Sequence, residues 1–152
     1  MAAKERIQIL AVPCVFRKKD EQVEWFLVKP ETDSDWELPK IKVKPVESSV
    51  RASIRVMAEE GGMNAKVLEE IGRSGGAARV NGKIVTQRTL YYLMLCKDGK
   101  ESLAYADSVW VNHTSALKKA KSKKDIQMLK DGKALIKDIE EKRGKPFKSK
   151  PW

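Results

Sequence analysis

Cysteine is scarce in this chain: Cys14 and Cys96 are the only two in 152 residues, and both sit in apolar runs. Two such thiols behave as small hydrophobes and do not make a disulfide framework, so the expected compartment is the reducing cytoplasm. Histidine is scarcer still. His113 stands alone, with no Cys or His partner at ligand spacing, and a zinc site is not supported. No run approaches the roughly 18 apolar residues that a membrane span needs. The opening stretch MAAKERIQILAVPCVF has no small-residue cleavage site behind it and reads as a first strand, not a signal peptide. Gly75-Gly76 lacks the further glycines and following helix of a phosphate loop, which leaves a bulge or turn as its expected role.

What the chain has in excess is positive charge, a formal net of +10, unevenly placed. From Ala116 onward thirteen Lys and Arg face five Asp and Glu, whereas the residues before it are nearly balanced at 18 against 16. A basic segment of this kind draws in polyphosphates or RNA through its long-range field. The plainer alternative is a solvated lysine-rich helix face that maintains solubility.

Apolar residues make up 41% of the chain and charged ones 34%, which suits one soluble domain of this length. The expected division is a single domain over residues 1–143 and a basic, flexible tail over 144–152. Residues 7–16 read as a buried strand, with Pro13 suggesting an edge or a bulge. A polar turn at 18–21 leads to a second strand at 23–28, and 30–35 is a loop. Ser48 or Ser49 caps a helix that runs to about Glu60, with Val50, Ile54, Met57 and Ala58 as its apolar face. Gly61-Gly62 stops it. Strands follow at 66–71, 77–80 and 84–96, the last two joined by the hairpin signal Asn81-Gly82. A short strand at 109–111 precedes a helix at 114–121. Ser122 and Asp125 have the spacing of a capping box opening a last helix, in which Gly132 costs about 1 kcal/mol relative to Ala. Trp25, Trp36 and Trp110 are expected core anchors.

The run WELPKIKVKPVESSVRASIRVMAEEGGM, residues 36–63, carries the most specific pattern. It resembles the signature of the Nudix hydrolases, G-x5-E-x7-R-E-U-x-E-E-x-G-U, with U a bulky aliphatic residue. Glu47, Arg55, Met57, Glu59, Glu60, Gly62 and Met63 match it, whereas Ile41 stands where the pattern has Gly and Val56 where it has Glu. The strand pair before Trp36, the Thr89–Leu93 segment, and Trp110-Val111 followed by a helix look like the branch acting on dinucleoside polyphosphates. The resemblance implies an α+β fold, a Nudix-type α/β/α sandwich with a mixed, curved sheet between helices.

It also implies cleavage of a phosphoanhydride in a nucleoside diphosphate derivative or a dinucleoside polyphosphate, with Mg2+ or Mn2+ as cofactor. Glu59 and Glu60 would be metal ligands, Arg55 would orient them, and Glu47 would be accessory. Lys40, Arg88 and Tyr91 are candidate substrate contacts, with Tyr92 as the alternative to Tyr91 because adjacent strand residues face opposite ways. Asp107 is a candidate extra carboxylate. Valine at 56 neither binds a cation nor accepts a proton, and Lys44 adds positive charge nearby, so the expected metal site is weakened. A silent module of the same fold that binds a nucleotide or RNA is the alternative expectation.

Overall fold

The computed structural model describes residues 7–99 and 104–149. Six strands and three helices follow in the order β1 (Ile7–Lys19), β2 (Gln22–Lys29), β3 (Ile41–Lys42), α1 (Ser49–Glu59), β4 (Met63–Val80), β5 (Lys83–Gly99), β6 (Asp107–Asn112), α2 (His113–Lys119) and α3 (Lys123–Arg143). The sheet runs β4-β5-β1-β2-β6, with β3 added to β1. Among the described strands only β1 and β5 pair in parallel, at the centre, and the other ladders are antiparallel. The architecture is therefore the expected α/β/α sandwich with a mixed sheet.

Side-chain alternation along the central strands divides the core in two. Val12, Cys14, Phe16, Trp25, Leu27, Tyr91 and Leu93 form one cluster with Met128, Leu129 and Ile136 of α3. Val15, Phe26, Tyr92, Met94 and Cys96 form the other with Val56 and Met57 of α1. Period-two alternation places neighbours such as Tyr91 and Tyr92 on opposite faces, so α1 and α3 cover different sides of one sheet.

Several expectations change at this level. Pro13 lies in a central strand, opposite Tyr92 of β5, not at an edge. On its other flank β1 pairs with β3 at Leu10 and Ala11 and with β2 from Phe16 on, and Pro13 falls between those ladders, where its missing N–H is least costly. The two strands expected between 66 and 80 are one strand, β4, irregular between Val67 and Gly72. Gly75 and Gly76 are simply in register with Arg88 and Gln87. The Asn81-Gly82 turn has positive φ at both residues, as a two-residue hairpin loop requires.

Helix α1 begins at its Ser48 cap, whose side chain accepts from the Arg51 amide. Its buried face is Ala52, Ser53, Val56 and Met57, whereas Val50 and Ile54 are exposed. The expected stripe is thus rotated, because the sheet took the face that spans positions i, i+1, i+4 and i+5. In α3, Ser122 accepts from the Asp125 amide, but the Asp125 carboxylate accepts from the Leu38 amide at 3.1 Å, tying the helix to the segment before β3.

Trp25 is fully buried, but Trp36 and Trp110 are half-buried, each beneath cations: Lys29 and Lys119 over Trp36, and Arg17 over Trp110. The segment after α3 makes specific contacts as far as Ser149. Gly144 closes α3 in the left-handed region, and Phe147 is buried edge-on against Phe16. The Phe147 amide donates to Glu140, and the Ser149 hydroxyl accepts from the Lys18 amide. Burial of an aromatic ring outweighs the low apolar content of the segment. Residues 150–152 lie outside the described part. Among the described residues no helix is long and apolar enough to cross a membrane.

Candidate functional site

The charged positions of the motif are built up from the turn before α1. The Glu47 amide donates to the Lys44 carbonyl, and the Glu47 carboxylate accepts from the Lys44 amide, so the turn closes on itself. Arg55, two turns into the helix, then grips the same carboxylate in a fork, with Nε to Oε2 at 2.7 Å and Nη2 to Oε1 at 2.9 Å. Glu59 is the weaker partner of Arg55, at 3.6 Å, and its side chain is 64% exposed. Arg55 therefore serves chiefly as the clamp of Glu47 and only secondarily as the orienter of Glu59. A planar fork donates two bonds to a carboxylate presented head-on, which the turn supplies and a helix neighbour does not.

That clamp has a pH signature. The Arg55 fork, first of all, holds the Glu47 carboxyl down at about 2, with burial opposing and the Lys44 amide assisting. Because the folded value lies below that of the unfolded chain, the stabilisation is complete above the ordinary carboxylate range, about 4.3. It is lost as pH falls toward 2. Carboxyl carbon NMR of Glu47 is expected to show no titration between pH 5 and 3 in the wild type and a midpoint near ordinary in Arg55→Gln. A normal wild-type midpoint would remove the clamp.

Glu60, the cap residue of α1, accepts from the Tyr105 hydroxyl at 3.4 Å. Burial, and then the Glu60 charge, raise the Tyr105 pKa, so the phenol stays a donor. Sequence reasoning missed Tyr105, since a lone Tyr in a polar loop has no periodicity to mark it. Val56, one turn before Glu60, has no exposure and belongs to the cluster on the α1 face of the sheet. Ile41, at the motif's other departure, packs against that same cluster.

The remaining candidates spread out. Lys40 donates to Glu37 at 2.7 Å and to Asp125 at 3.4 Å, so its charge is engaged beside α3. Tyr91 is buried in the α3-side cluster, across the sheet from α1, and burial pushes its phenol up to about 12. Tyr92 is the tyrosine on the α1 side, its hydroxyl 2.5 Å from that of Ser49. Arg88 is exposed beside Arg73 and Ser74 at a shallow cleft of about 280 Å³. Asp107 opens β6 opposite Lys29, and its carboxylate turns back to the Ser108 amide.

Can these residues hold a divalent ion? Among the described residues no three His, Cys, Asp or Glu side chains converge as a metal-binding group. Among the described residues a closed three-carboxylate cage is thus absent. Mg2+, however, keeps several waters and often takes only one or two carboxylates plus substrate phosphates. Adjacent Glu59 and Glu60, the first 3.6 Å from Arg55 and the second 3.4 Å from the Tyr105 hydroxyl, fit that looser role.

No protein-family model matches the sequence, and no curated protein matches it significantly. Solved structures do. The chain is similar to the Ap4A hydrolase of C. elegans, at 20% identity and a TM-score of 0.65 over 86% of this chain and 98% of that one. A NUDIX hydrolase from Nitrosomonas europaea matches at 17% identity and a TM-score of 0.67, over 86% and 90% of the two chains. The NUDIX domain of Shewanella oneidensis NrtR, crystallised with ADP ribose, matches at 18% and 0.66, over 86% and 89%. At these identities the likeness establishes the fold, which is that of the Nudix hydrolases.

Proposed function

We propose that this chain, with the Nudix hydrolase fold, is a phosphoanhydride hydrolase of low turnover acting on a nucleoside diphosphate derivative or a dinucleoside polyphosphate. The observation that carries the reading is Glu59 and Glu60 side by side at the end of α1, on a helix whose entry is locked by the Glu47–Arg55 fork. The substrate class is supported by the fold's likeness to an Ap4A hydrolase and to a domain crystallised with ADP ribose. Mg2+ or Mn2+ held by Glu59 and Glu60 would neutralise phosphate charge and lower the pKa of a bound water. The chain's own contribution is positional. Arg55 and Glu47 fix the helix start, and Tyr105 holds the Glu60 carboxylate by its donated proton. No carboxylate at position 56 takes up the proton of an attacking water, and loss of a general base typically costs about 10²–10⁴-fold in rate. Buried, unpaired Cys14 and Cys96 fit a cytoplasmic protein.

Phosphate release from ADP ribose and diadenosine tetraphosphate, with Mg2+ or Mn2+, tests the reading. Slow, metal-dependent release by the wild type and a fall of about 10²-fold or more in Glu60→Gln are expected. Equal release by the two proteins would sink the hydrolase assignment. A second reading, nucleotide or RNA binding without turnover, is favoured by the complete burial of Val56. Saturable nucleotide binding with no release from either protein would establish it.

A further inference from the structure

A cleft of about 620 Å³ opens on the α3 side of the sheet, between the β1–β2 turn, the start of α2 and the middle of α3. It lies on the face opposite α1 and shares none of the motif's residues. We infer that this cleft is a second binding site, one for a phosphate group, built from the His113 imidazole and the ammonium groups of Lys133 and Lys137.

The donor set follows from the bonds already made around it. Trp25 Nε1 donates to His113 Nδ1 at 3.0 Å, which commits that nitrogen as an acceptor and leaves the ring proton on Nε2. The imidazole is half-buried and lines the cleft, so its remaining donor is the natural contact for an anion. Burial, followed by the charges of Lys133 and Lys130, lowers the His113 pKa and keeps this tautomer neutral near pH 7. A neutral donor between lysines is stable without a ligand and gains one at no cost of protonation.

Two carboxylates also border the cleft, and their partners decide its sign. Glu140 accepts from Lys18 at 3.1 Å and from the Phe147 amide at 2.7 Å, so its charge is balanced in place. The Glu21 side chain is exposed at the tip of the turn, where solvent and salt screen its charge, and its backbone carbonyl accepts a further bond from Lys18. Lys133 and Lys137, one turn apart on α3, have no ion pair or hydrogen bond among the described residues, although Asp138 and Asp131 on the same helix are occupied by Lys142 and Gln127. Two unbalanced cations beside a fixed N–H donor form a site that a tetrahedral oxyanion satisfies. Thr114 and Ser115 add hydroxyls to the rim.

Because His113 is the only histidine, its imidazole resonances report the site without ambiguity. Titration of the full chain with inorganic phosphate, against chloride at matched ionic strength, is expected to move the His113 ring and Trp25 indole signals saturably. Lys133→Gln and Lys137→Gln should each weaken that response about tenfold, without lowering the melting temperature. Glu60→Gln should leave it unchanged, so this test is independent of the hydrolase assignment. Two further arms identify the phosphate's source. A short unstructured RNA that gives the same shifts at lower phosphate concentration assigns the site to a phosphodiester backbone, and ADP acting alone assigns it to small nucleotides. No saturable shift, or one that survives both lysine substitutions together, overturns the proposal.

Discussion

Val56→Glu, which restores the motif's missing carboxylate on paper, is expected to destabilise the protein and to yield no gain in phosphate release. The Val56 side chain has no solvent exposure and sits among Val15, Phe26, Met57 and Met94. Glutamate there is longer and brings a charge into an apolar cluster, where burial without a partner costs more than any neighbouring contact returns. The expected loss is about 3–5 kcal/mol, the range for an uncompensated buried charge. In a domain of this size that lowers the melting temperature on the order of 10 °C. Ile41 packs against the same cluster, so the two departures from the motif occur in one apolar region, and reversing one leaves the other in place. Thermal unfolding followed by circular dichroism, with Val56→Thr as the near-isosteric control, reads the effect. A stable and faster Val56→Glu enzyme would mean that position 56 turns out of the core toward Glu59 and Glu60.

Trp25→Ala is expected to cost about 3–5 kcal/mol, the usual range for deleting a buried tryptophan. Trp25 has no exposure, stacks edge-on against Phe16 at 6.0 Å, and donates to His113. It is also the surface on which α3 rests. A Cβ at Gly132 would meet the Trp25 ring at 3.0 Å and Ile71 at 3.2 Å. This explains a glycine inside a 21-residue helix despite its propensity cost of about 1 kcal/mol. Gly132→Ala gains that propensity but presses on a ring already fixed from two sides, so a net loss is expected. Gly132→Leu should lose more in the wild type, yet in Trp25→Ala the new side chain enters the vacated space. Urea unfolding of the four proteins should therefore give a coupling of about 1 kcal/mol or more in favour of the double variant. Strict additivity would mean that Gly132 and Trp25 do not share a contact surface.

Patterns of short range were legible in the chain. The Asn81-Gly82 hairpin, the Ser48 and Ser122 caps, and the glycine stop after α1 rest on backbone preferences of a few residues, and each stands where expected. The offsets from Glu47 to Gly62 sufficed to indicate the fold, even with two positions altered. The site was legible in part. That Glu59 and Glu60 would be neighbours at a helix end follows from adjacency alone. That Arg55 would choose Glu47 over Glu59 does not, since both lie within reach of a long side chain and the turn at Lys44 decides between them.

The order of helices and strands was legible because periodicity and turn chemistry act within a few residues, and the resemblance of residues 36–63 to the Nudix signature added the sandwich of helices about a mixed sheet. Long-range docking settled the rest. It chose which stripe of α1 meets the sheet, buried Val56, sent Tyr91 and Tyr92 to opposite faces, and folded Phe147 back onto Phe16. Those outcomes depend on which apolar surfaces, far apart in the chain, exclude water together, and no local window contains that information.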